Sequence, residues 1–152
     1  MTFRPLKVQH FENPRWRRPP SLKSKNRHIS TKAVSDLIDD CRLDVAVFTK
    51  TWHMSPADIL VRQATPLGYT AVDLVRSADP NHGGIVIVFR ADFVRSRLRL
   101  PSVTTFECLG IRLVTGGTPL VVIVIYRPGS VRPTTRFFDD LTTLPESVSL
   151  LG

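Results

Sequence analysis

At 152 residues with 42% hydrophobic content and a mean hydropathy of zero, the chain has enough apolar material for the core of one ordinary domain, which excludes disorder throughout. The net charge of +8 lies wholly in residues 1–32, where nine Lys or Arg face the single acid Glu12, while the rest of the chain balances twelve of each sign. Two distant cysteines, Cys41 and Cys108, exclude a zinc knuckle or disulfide framework and read as small buried or half-buried hydrophobes.

No apolar run reaches the length of a membrane-spanning helix and the start lacks a secretory h-region, so the expected compartment is intracellular and reducing. Residues 1–28 are rich in Arg, Lys and Pro without an apolar period, and are expected to form a basic, disordered arm outside the fold. Within it, Trp16 among Arg15, Arg17 and Arg18 can stack on a base while the arginines neutralise phosphates. The alternative is a solvated tail with no role.

Ser30 or Thr31 caps an expected helix to about Cys41, with Ala33, Val34, Leu37, Ile38 and Cys41 on one face. Asp44 to His53 then organises the chain. Leu43 and Val45 to Phe48 read as a strand buried on both faces, and its polar end, Thr49 to His53, is where an open α/β sheet collects ligands. Ser55-Pro56-Ala57-Asp58 is expected to start a short helix through Arg62. Strands are expected at 68–75 and 85–90, an edge segment with outward arginines at 91–102, and a hairpin of 105–115 and 120–126 about Gly116-Gly117. A last amphipathic helix from Thr134 should stop before Pro145.

This order is not regular βαβ alternation, and several landmarks give it a more particular likeness. Val34-Ser35-Asp36-Leu37-Ile38 precedes Leu43-Asp44-Val45 and Thr51-Trp52, followed by Pro66-Leu67-Gly68-Tyr69, Asn81-His82-Gly83-Gly84, Thr105-Phe106-Glu107, Tyr126-Arg127-Pro128-Gly129-Ser130 and Phe137-Phe138. In that order they resemble the N-terminal part of an endonuclease/exonuclease/phosphatase domain, in the branch of LINE-type non-LTR retrotransposon endonucleases. The resemblance covers about residues 29–144 and implies an α/β fold, a partial four-layer α/β sandwich with its second sheet truncated. Residues 29–152 form that domain part, and with the partner sheet later than this chain, one face of the first sheet should expose apolar side chains.

The activity implied is hydrolysis of a DNA phosphodiester with Mg²⁺, in a polyprotein that also carries a reverse transcriptase domain. A functional copy would work in the nucleus, with no small-molecule cofactor and no membrane. The family's strand usually ends Thr-Glu-Thr-Trp, with the glutamate on the metal; here Lys50 holds that position, so the resemblance implies that Mg²⁺ is not bound. Tyr126 matches the tyrosine that contacts the scissile phosphate, and Arg127 follows it as a phosphate-binding residue. Asn26 is the candidate for the family's early catalytic asparagine, although its spacing to Asp36 is short. The family's Gly-Asp-x-Asn and Ser-Asp-His segments are not found here, so the expected state is a truncated, inactive nuclease. Beside it stands a second reading, a non-catalytic nucleic-acid binder acting through its arm.

The residues carry plainer readings too. Lys50 can be a solvated strand end, Tyr126 an interfacial ring, and His82 a turn residue, since the loop lacks the Gly-Lys-Ser/Thr ending of a nucleotide loop.

Overall fold

The computed structural model describes residues 6–12, 30–76, 83–127 and 132–149. Among these described residues are three helices and seven strands, and the strands divide into two sheets. The first has the order β1-β2-β4-β3, from β1 (Val8–Glu12), β2 (Val45–Thr49), β4 (Ile85–Arg90) and β3 (Tyr69–Leu74). The second has the order β5-β6-β7, from β5 (Val94–Arg97), β6 (Glu107–Thr115) and β7 (Thr118–Tyr126). The helices are α1 (Thr31–Asp40), α2 (Ile59–Ala64) and α3 (Thr135–Ser149).

Side chains alternate across a strand, and that alternation splits the core in two. Val45, Val47, Ile85, Ile87 and Phe89 point from the first sheet onto Leu109, Ile111, Leu113 and Val124 of the second. The other face of β2 and β4, Ala46, Val86 and Val88, packs with Ile38 of α1 and Val61 of α2. Helices, first sheet and second sheet therefore form successive layers, as the α/β sandwich expectation requires.

The chain itself supplies three strands of the second sheet, which corrects the expectation that the first sheet would lie bare on one side. The apolar exposure falls instead on the outer face of β7, at Val121 and Ile125. A further correction concerns residues 1–28. Val8–Glu12 leave the arm to pair in parallel with β2, from Val8 opposite Val45 to Glu12 opposite Thr49. The buried Asp44 helps hold them, since its carboxylate accepts the Lys7 amide at 2.8 Å while the Lys7 carbonyl accepts the amides of Asp44 and Val45. The link is made by the backbone, which is why no apolar period advertises it.

Local capping explains the helices. The Ser30 hydroxyl accepts the Ala33 amide at 3.1 Å and so starts α1. Its packed stripe is narrower than its sequence, because Val34 and Ile38 reach the sheet while Leu37 and Cys41 stay exposed. Cys41 is therefore not the half-buried hydrophobe expected; Cys108 is, and burial pushes its thiol up to about 11.

The second helix starts later than its Ser-Pro signal. Asp58 caps it by accepting the Leu60 amide at 2.9 Å, whereas Ala57 takes φ +53 and donates to Asp73, which no continuing helix allows. Conversely α3 runs past Pro145 to Ser149. Proline's fixed φ suits a helix, while its missing N–H and the clash of its ring with the carbonyl four residues back make the position costly without forbidding it. Gly116 and Gly117, both at positive φ, close the β6–β7 hairpin as the sequence implies.

Among the described residues no helix is long and apolar enough to cross a membrane. The layer between the sheets has the larger energetic weight. Replacing the fully buried Ile87 by Ala should cost about 2–5 kcal/mol in denaturant unfolding, while Val94→Ala on the exposed β5 should change stability by less than about 0.5 kcal/mol. Equal effects at the two sites would contradict the packing described.

Candidate functional site

Strand directions bring distant segments to one rim. β2 ends at Thr49 where β4 begins at Ile85, β3 ends at Leu74 opposite Ile85, and β6 begins at Glu107 opposite Tyr126, the last residue of β7. Lys50 to His53, Arg76, Gly83, Gly84, Glu107, Tyr126 and Arg127 therefore lie at the same end of the sandwich.

The loop after β2 is pinned there. Lys50 and Trp52, at φ +61 and +51, are left-handed positions that a side chain adopts only when its surroundings insist. Here the Lys50 amide donates to the Gly84 carbonyl at 2.8 Å and the Trp52 amide to Gly83 at 2.9 Å. Below them the Thr51 hydroxyl lies 2.7 Å from His53 Nδ1, and His53 Nε2 stands 3.0 Å from Asp73 Oδ2 at an angle that makes an ion-pair approach without a hydrogen bond. A carboxylate facing Nε2 favours the proton on that nitrogen, which leaves Nδ1 to accept from Thr51. His53 is 2% exposed, so this chain anchors the loop from within.

Gly84 is the close-approach position. At φ +89, a Cβ there would come 2.7 Å from Thr51 Oγ1 and 3.0 Å from the His53 ring. Its amide donates to Glu107 Oε2 at 3.0 Å, and Glu107 Oε1 meets Arg76 Nε at 3.2 Å. Burial raises the Glu107 carboxyl above its ordinary range, against the lowering effects of the Gly84 amide and Arg76.

Of the candidates from sequence, the structure joins Lys50 and Tyr126. The ammonium lies 5.4 Å from the centroid of the Tyr126 ring, within cation–π range. That ring also packs against the core between the sheets, as the plain interfacial reading has it. The Arg127 guanidinium lies 5.4 Å from the centroid of the Phe137 ring, and Phe137 packs edge-on to Phe106. Beside them runs an open groove of about 750 Å³ whose lining includes Arg76, Arg127, Arg132, Thr105 and Phe137. Thr105 donates to Asp140 of α3 at 2.7 Å, closing one wall. Arg15, Trp16, Arg17, Arg18, Asn26 and His82 lie outside the described residues.

The sequence reading did not mark Arg76, Glu107, Asp73 or Arg132 as site residues. Glu107 sits in a landmark, but its partner Gly84 is 23 residues away, and nothing local signals that bond. Among the described residues, no three His, Cys, Asp or Glu side chains gather as a metal site would need.

No family model matches the chain, and no curated protein does. Among solved structures it is similar to the "Endonuclease domain of TRAS1, a telomere-specific non-LTR retrotransposon", at a TM-score of 0.62 and 11% identity. The likeness covers 95% of this chain and 54% of that one, so the chain spans about half the length of its structural neighbour and shares its fold.

Glu107 sets a pH dependence. Because its folded value is raised, its contribution to stability is complete below the ordinary value of 4.5 and is lost as the pH rises through the raised folded value. Glu107→Gln, which keeps an acceptor for the Gly84 amide, should flatten the fall in unfolding free energy as the pH rises above the ordinary value of 4.5. An unchanged slope in that variant would rule out Glu107 as its source.

Proposed function

We propose that this chain carries the nuclease-like fold of a metal-dependent DNA endonuclease from a non-LTR retrotransposon, and that it engages DNA without cutting it. One observation carries the reading, the Lys50 ammonium over Tyr126 at the end of β2. The TRAS1 likeness supports the lineage at the level of fold. DNA is the proposed partner and the nucleus the proposed place of action.

The chemistry of the donor set supports the absence of turnover. Mg²⁺ takes hard oxygen ligands, and a protonated amine offers no lone pair. A unit positive charge facing Mg²⁺ at about 4 Å costs roughly 8 kcal/mol at an effective dielectric of about 20. Glu107 does not replace the missing carboxylate, since one oxygen accepts the Gly84 amide and the other faces Arg76. The residues described at this rim do not suit the metal, and no catalytic step is assigned to it.

A plasmid-nicking assay with Mg²⁺ tests the proposal. No conversion of supercoiled to open-circular plasmid is expected beyond that of a no-protein control. Nicking that EDTA abolishes and that Tyr126→Phe removes would refute the non-cutting reading.

A second reading rests on the confinement of all the excess charge to residues 1–32. In it, Arg15, Trp16, Arg17 and Arg18 bind nucleic acid whatever the folded part does. If about six of these charges meet duplex phosphates, log K against log salt should have a slope near about −5. Removal of residues 1–28 would also remove β1, so charge neutralisation is the cleaner experiment. Replacing Arg15, Arg17 and Arg18 by Gln should reduce the magnitude of the slope by roughly 3 in a salt titration, and an unchanged slope would place affinity outside the arm.

A further inference from the structure

We propose that the Lys50 ammonium binds an internal phosphate of a nucleic-acid backbone directly, taking the electrostatic part that a divalent cation would otherwise play, so that this rim binds without metal. The inference rests on the non-cutting reading and gives that site a ligand.

Lys50 is placed as a fixed cation rather than a loose one. Its backbone is locked at φ +61 by the bond to Gly84, and its half-buried side chain crosses to Tyr126 on the other sheet. A cation–π contact holds an ammonium through its charge. The ring thus orients the cation with less ordering left to complete on binding.

The surroundings favour an anion. Arg127 follows Tyr126 directly, and Arg76, Arg127 and Arg132 line the adjoining groove. Among the described residues of that lining the one carboxylate, Glu107, is balanced by Arg76 and by the Gly84 amide. Planar arginines and a point-like ammonium are the donor set that phosphate oxygens take, and a groove of about 750 Å³ has room for nucleotide-sized groups. Several arginines in one lining suit a run of phosphates better than one small anion.

The test measures binding of a short DNA duplex with 5′-hydroxyl ends, so that every phosphate is internal. Fluorescence anisotropy is read on the full chain carrying Arg15→Gln, Arg17→Gln and Arg18→Gln, at constant ionic strength, in EDTA and in Mg²⁺. Affinity in EDTA should be no lower than that in Mg²⁺, because Mg²⁺ competes with the protein's cations for the phosphates. Lys50→Gln should weaken binding about tenfold and Lys50→Glu more, whereas Lys50→Arg should stay close to the parent. A tenfold loss in EDTA would overturn the proposal and needs no variant, so misfolding of a mutant cannot obscure it. Unchanged affinity in a natively folded Lys50→Gln would overturn it as well. Nicking by the unmodified chain would refute the non-cutting reading while leaving these measurements intact, so the two failures are distinguishable.

Discussion

The hydrogen bond from the Gly84 amide to Glu107 is the constraint on which the rim depends. Gly84 immediately precedes β4 on the first sheet and Glu107 opens β6 on the second, so this bond ties the two sheets at the end where the loops gather. The same glycine accepts the Lys50 amide and leaves no room for a Cβ against Thr51 and His53. Loss of that fit would release the loop that aims Lys50 at Tyr126. Burial of the Glu107 carboxylate is a destabilising element, partly offset by Arg76 and retained where it fixes geometry.

What was legible in the sequence was what local chemistry encodes. Ser30 three residues before Ala33, the apolar runs of β2 and β4, and the Gly-Gly turn of β6–β7 each carry their instruction within a few residues. The ordered landmarks also pointed to the right fold, as the likeness to a retrotransposon endonuclease domain shows. β1 was hidden because an exposed edge strand held by its backbone needs no hydrophobic period. The start of α2 was misplaced because Asp58, two residues beyond Pro56, supplies the cap. The division into two sheets depends on which faces meet, and alternation along one strand does not name its partner across the core.

The site was legible in part for the same reason. Lys50 and Tyr126 were marked by the resemblance to the endonuclease family, and the structure brings their side chains together across the sandwich. Arg76, Asp73 and Glu107 join them only through long-range pairing, such as His53 with Asp73 across 20 residues of chain. The buried His53 and the half-buried Thr51 and Asp73 lie under the rim and act on its shape.

The parallel seating of β1 has a consequence for the basic segment that follows it. Glu12 is in register with Thr49, one residue before Lys50, so the chain leaves the sheet beside the rim. Arg15 follows Glu12 by three residues and Arg18 by six, and covalent geometry alone keeps them within about 11 Å and about 22 Å of that exit. If the arginine cluster and the rim each take a polyanion as proposed, a polyanion held by either would meet the other at the high effective concentration of an intramolecular contact, and two weak attachments would become one strong one through avidity.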